Sequence, residues 1–179
     1  MVTRTGFGVF ASSALLCMGV LFAPVGSAGE TPITARYAGS GWDTYADGFV
    51  PDGSNVSLTV VAQKGTFGDA NLVITTEWVD DPSVSCPAGY PIKVSLVYSS
   101  TVTTFADQSQ LFSVAQSGWI CGSPEGGYFG EVSGAYVGGT GRFLGASGDY
   151  VSKFDGAYLE PNLGFRSIRG TVKGSVGRQ

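Results

Sequence analysis

Glu77 and Arg142 are the charged residues whose settings could support chemistry. Glu77 lies in an apolar run between Thr76 and Trp78, and burying a carboxyl raises its pKa into the range useful for acid–base work. Strand alternation sets Glu77 opposite Trp78, on the solvent side, so both orientations stay open. Arg142 sits in a glycine-rich connection, where a guanidinium either faces the mouth of an interior cavity or makes a structural ion pair. The chain has no histidine. Ser-His-Asp and Cys-His nucleophiles and histidine metal ligands therefore drop out. Glu77, Asp80 and Asp81 form the densest acidic group, but the calcium-loop spacing is absent, and Asp80-Asp81-Pro82 reads as a solvated turn. No metal and no cofactor is expected.

The aromatic residues offer binding rather than catalysis. Trp78, Tyr98, Trp119, Tyr136, Tyr150, Phe154 and Tyr158 could line a pocket for an apolar ligand, or fill a core with their own bulk. Trp42 and Tyr45 stand in a segment without clean alternation and could form an exposed contact patch. The run from Gly139 to Gly145 fails as a dinucleotide fingerprint, because its last glycine comes one residue late and strand-like sequence follows it. It is no P-loop either, since the lysine and its hydroxyl neighbour are missing.

The elements that must position these residues are strands. Val56, Leu58, Val60 and Ala62 share one phase; Leu72, Ile74 and Trp78 share another; Ile92, Val94, Leu96 and Tyr98 form the clearest period-two segment. Further strands are expected over Leu111–Val114, Trp119–Cys121, Tyr128–Val137, Asp149–Tyr158 and Phe165–Val176, with an early one near Thr34–Ala38 followed by a loop. Pro51–Ser54, Lys64-Gly65, Asp81-Pro82, Pro87–Gly89, Ser123–Gly127 and Pro161-Asn162 supply turns. About eight short-linked strands suggest a closed barrel or a sandwich. Gly130, Gly134, Gly156, Gly170 and Gly174 favour the barrel, because closure needs strong bending.

The segment Gly138-Gly139-Thr140-Gly141-Arg142-Phe143, continued by Gly145-Ala146-Ser147-Gly148-Asp149-Tyr150, resembles the glycine-rich signature of the allene oxide cyclase and dirigent-type β-barrels. Phe154-Asp155-Gly156 and the stretch from Ile168 to Gly174 are similar to the closing strands of these barrels. The resemblance spans roughly Gly130 to Val176. It implies a single antiparallel, eight-stranded closed barrel with an apolar cavity, and it transfers no catalytic role. It also implies a homo-oligomer among the partners.

Arg4, the apolar run from Gly6 to Val25 and the small residues Gly26-Ser27-Ala28 predict a signal peptide over 1–28 and one domain over 29–179. A membrane anchor is the competing reading. Cleavage leaves 151 of the 179 residues and removes a single basic residue, so nine basic and fourteen acidic residues remain, a net charge of −5. Such a chain has no basic cluster for nucleic acid or for an anionic membrane. Cys86 and Cys121 remain as an even pair in an exported chain, which predicts a disulfide. Asn55-Val56-Ser57 matches a glycosylation sequon.

Three functions stay open on the sequence. One is an exported barrel, periplasmic or extracellular, that binds a small apolar molecule in its interior. Another is a cyclase or isomerase of the allene oxide cyclase or dirigent kind, acting by confinement. The last is a solid-cored structural or protein-interaction module. An aromatic cavity with inward charges points to the enzyme, a purely apolar cavity to the carrier, and a filled interior to the module.

Overall fold

Among the described residues, alternation of apolar and small polar residues forms eight long strands, seen in a computed structural model. The structure describes residues 29–44, 56–160 and 164–178. The expected leader, Tyr45, the Pro51–Ser54 turn, Asn55 of the sequon and the Pro161-Asn162 turn lie outside the described residues. The strands are β1 (Thr31–Asp43), β2 (Val56–Gly65), β3 (Gly68–Asp80), β4 (Ile92–Phe105), β5 (Gln110–Gly122), β6 (Gly127–Gly139), β7 (Ala146–Glu160) and β8 (Phe165–Arg178). Each pairs antiparallel with the next. β8 returns to β1, from Thr31↔Val176 to Trp42↔Phe165, and the sheet closes into a barrel without edges.

Two expectations about the strands need correction. The early strand runs on through Gly39 and Gly41 to Asp43, beyond the loop expected after Ala38. Glycine hid the alternation there, yet a Cβ on Gly39 would sit 2.2 Å from the Val60 carbonyl oxygen, so the inner phase at that point has no room for a side chain. The two segments expected around Leu111 and Trp119 are one strand, β5, interrupted by a bulge.

Such bulges decide which side chains face inward. Glu77 pairs with Tyr98 but Trp78 pairs with Leu96, which leaves Val97 as an extra residue in β4. Ala115 pairs with Gly134 and Ser117 with Ser133, which leaves Gln116 extra in β5. Because side chains alternate with period two, one added residue swaps the inner and outer faces of the strand beyond it.

The two ends of the barrel differ. One end carries the β2–β3, β4–β5 and β6–β7 turns and is plugged by aromatic rings. Phe143 is fully buried, with its ring 4.8 Å from that of Phe105 and 5.2 Å from that of Phe67. The glycine-rich motif builds this plug. Gly141 has φ +57°, and a Cβ there would lie 2.5 Å from Ser109 Oγ. That close approach lets the Thr140 and Arg142 amides donate to Gln110 O (2.8 Å) and Ser109 Oγ (3.3 Å), which clasps the β6–β7 turn onto the β4–β5 turn.

The opposite end carries the loop 81–91 and the turn 123–126. Here Cys86 and Cys121 form a disulfide with Cα atoms 5.7 Å apart, tying the β3–β4 loop to the end of β5. Asp81 accepts hydrogen bonds from the Ser83 amide and hydroxyl, as a turn-forming aspartate does.

Candidate functional site

The barrel encloses a cavity of about 570 Å³, within the range of small-molecule sites. It runs from Phe67 and Phe105 at the plugged end to Pro124 and Gly126 at the other. Four inward rings lie flat along its wall, each over a glycine directly across the strand pair. Phe154 faces Gly130, Tyr150 faces Gly134, Tyr128 faces Gly156 and Tyr37 faces Gly170. A Cβ on Gly170 would fall 2.5 Å from Tyr37 Cζ, and one on Gly156 2.4 Å from Tyr128 Oη. The glycines thus let bulky rings lie along the wall rather than project into the interior, and space remains inside. A band of hydroxyls, including Ser99, Thr101, Thr103 and Ser113, adds polarity to an otherwise apolar wall.

A buried ion pair sits inside the cavity toward the looped end. Arg166, from the start of β8, and Asp43, at the end of β1, are each 8% exposed in their side chains, with Nε 2.9 Å from Oδ1. Tyr158 donates a hydrogen bond to Asp43 Oδ2 at 2.5 Å, and the Ser57 hydroxyl donates to Oδ1. Arg166 Nη2 donates to Thr59 Oγ1 at 2.8 Å, and Nη1 donates to Tyr128 Oη at 3.3 Å. The Tyr128 hydroxyl in turn donates a hydrogen bond to the Ser167 carbonyl at 2.6 Å. Gly41 makes room beside the guanidinium, since a Cβ there would lie 3.3 Å from Arg166 Cζ.

The titration of these groups follows from their surroundings. Burial alone would raise the Asp43 pKa. The Arg166 guanidinium and the bonds from Ser57, Tyr158 and Arg166 outweigh it and hold the carboxyl below its ordinary range. For Arg166 burial pulls the other way, but Asp43 and Tyr128 raise it, so its charge is permanent. Burial pushes Tyr37 up to about 12 and also raises Tyr128, Tyr136 and Tyr150. Every phenol in the cavity with a shifted pKa is therefore protonated at neutral pH, and the pair stays fully ionised. The arrangement offers hydrogen bonds and fixed charge, and no group among these is poised to exchange a proton near pH 7.

No known protein family, curated protein or solved structure matches this chain.

Of the aromatic residues singled out in the sequence, Trp78, Tyr136, Tyr150, Phe154 and Tyr158 line the cavity. Tyr98 and Trp119 do not. Tyr98 is 49% exposed, and Trp119 packs edge-on against Phe129. Each lies beside or beyond an inserted residue, Val97 or Gln116, that reverses the phase of its strand. Glu77 is buried on the phase opposite Thr76 and Trp78, both of which line the cavity while it does not. Arg142 belongs to the plug. Its guanidinium lies 4.8 Å and 5.0 Å from the ring centroids of Phe105 and Phe143. It also donates to the Phe67 carbonyl at 2.9 Å and approaches Asp107 Oδ2 at 3.4 Å.

Asp43, Arg166, Tyr128, Tyr37 and Thr59 were missed by sequence reasoning. A signal existed for two of them. Arg166 continues the phase of Ile168 and Val172, and Asp43 continues that of Ile33, Ala35 and Tyr37, so each is a charge on an apolar face. Among the described residues no group of three or more histidines, cysteines and carboxylates could hold a metal ion.

Proposed function

We propose that this protein is an exported β-barrel that binds a small, largely apolar molecule in its interior. The observation that carries this reading is the cavity of about 570 Å³, kept open by rings lying flat over glycines. A solid-cored module needs a filled interior, and that requirement is not met. The Cys86–Cys121 disulfide supports an oxidising location outside the cytoplasm. Membership of the allene oxide cyclase and dirigent-type barrels belongs to the same proposal, and rests on the glycine-rich motif together with the closed eight-stranded barrel.

The cavity is aromatic with inward charges, the pattern expected of the enzyme, so a second reading stands beside the first. It ranks second because the two charges neutralise each other and neither exchanges a proton near pH 7. The Asp43–Arg166 pair places fixed charge beside the ligand space, and a confining cyclase or isomerase would use such charge to stabilise a polar transition state. Neither group need exchange a proton in that role.

The first test is native mass spectrometry of the protein purified from an oxidising compartment, alone and after incubation with a lipid and terpenoid extract. A discrete added mass that is lost on denaturation is the expected result. A bare mass under both conditions overturns interior binding, and with it both readings.

A further inference from the structure

Arg166 has five N–H donors in a fixed planar fork. Among the described residues three of them find acceptors: Nε on Asp43, one Nη1 hydrogen on Tyr128 and one Nη2 hydrogen on Thr59. One hydrogen remains on each terminal nitrogen. The residue is 7% exposed and lines the cavity, so bulk water does not readily serve these two donors. Buried donors without acceptors cost free energy, which a ligand oxygen placed there would recover.

The charge on that ligand follows from the same geometry. Asp43, 2.9 Å from Arg166, already neutralises the guanidinium. An anionic ligand would bring an uncompensated charge into a closed, largely apolar space and would meet the Asp43 carboxylate there. A pure hydrocarbon would leave both donors unmet. An uncharged oxygen accepts from this fork without adding charge. The plugged end of the cavity, with Phe67, Phe105 and Leu111 around it, supplies the complementary apolar space.

Building on the interior-binding reading above, we infer that Arg166 is the polar anchor of the cavity and takes the oxygen of an uncharged carbonyl group on an otherwise apolar ligand. Asp43 acts as a positioning residue. It holds the fork by Nε and cancels its charge, so that the site prefers a dipole to an anion.

The test compares three probes of equal chain length: methyl decyl ketone, dodecane and dodecanoate. Each displaces the neutral fluorophore N-phenyl-naphthylamine from the full protein at neutral pH. The ketone is expected to compete about tenfold better than either of the others, the worth of a hydrogen bond to a charged donor. The bound ketone should also show a carbonyl stretch lowered from its value in hydrocarbon solvent. In the Asp43→Leu/Arg166→Met protein the ketone preference and the lowered stretch should disappear. Equal competition by all three probes, or a preference for dodecanoate, overturns the anchor and leaves interior binding standing. If neither the fluorophore nor any probe binds the unaltered protein, interior binding itself has failed. The probe series and the stretch are read on the unaltered protein, so they decide the matter even if the double variant does not fold.

Discussion

Arg166 and Asp43 are 123 residues apart in sequence and 2.9 Å apart across the β1–β8 seam, where the last strand meets the first. Their contact exists only once the barrel has closed. Because both are buried, removing one leaves an uncompensated charge, whereas replacing both with apolar residues removes the problem. Arg166→Met alone should cost about 3–5 kcal/mol in urea unfolding, and Asp43→Leu/Arg166→Met should recover most of that loss. A double variant as unstable as the single one would show that the seam depends on the pair itself.

The same pair sets an acid limit. The folded pKa of Asp43 lies below its ordinary 3.8, so the folded state holds fewer protons than the unfolded state in that range. Its contribution is complete above the ordinary carboxylate value and is lost as pH falls through the lower, folded one. Stability measured by denaturant midpoint should therefore drop below about pH 4, and Asp43→Asn should flatten that drop while lowering stability at neutral pH.

At the alkaline end the buried phenols act in the opposite sense. The raised pKa values of Tyr37, Tyr128, Tyr136 and Tyr150 mean that the unfolded state loses protons first as pH passes 10, the ordinary tyrosine value. Their stabilising effect is whole below that value and is lost as pH rises toward about 12, the value for Tyr37. Tyrosinate absorbance should rise in two stages, the later one coming from this buried set together with unfolding. A single smooth titration of all tyrosines would contradict the buried positions.

How much of this was legible in the sequence depended on phase. Ile92 and Val94 alternate cleanly and do face inward, but Tyr98 in the same run does not, because the bulge opposite Glu77 and Trp78 adds Val97. A bulge is set by pairing with a neighbouring strand and leaves no mark in a single strand's pattern. Trp119 was misplaced for the same reason, through Gln116. β7 has no such insertion before Tyr158, and Tyr150, Phe154 and Tyr158 all face inward as their spacing predicts. The polar anchor stayed hidden because Asp43 and Arg166 meet only across the seam, and two glycines in β1 broke the apolar pattern that leads to Asp43.

The disulfide joins loop to strand at the looped end and closes a loop of 35 residues. Replacing both cysteines by serine should lower stability by about 3–4 kcal/mol on the loop-entropy scale. Urea unfolding of the oxidised, reduced and double-serine proteins checks this. The reduced and serine proteins should agree, and both should fall below the oxidised one.

Arg142 separates a plug from a binding site. Its guanidinium covers Phe105 and Phe143 and donates to the Phe67 carbonyl, but it is absent from the cavity wall. Its ion pair with Asp107 is about half exposed, so solvent screening leaves that contact worth little by itself. What remains is packing of the cation over two rings, at about 0.5–1 kcal/mol, and one charge-assisted hydrogen bond. Arg142→Ala should therefore lower stability by about 1.5–3 kcal/mol, the range for a hydrogen bond to a charged group. Displacement of N-phenyl-naphthylamine by methyl decyl ketone should change less than twofold, because the anchor lies toward the opposite end of the barrel. Loss of ketone preference in Arg142→Ala at unchanged stability would reverse these assignments, making Arg142 the group that meets the ligand and Arg166 a strut of the seam.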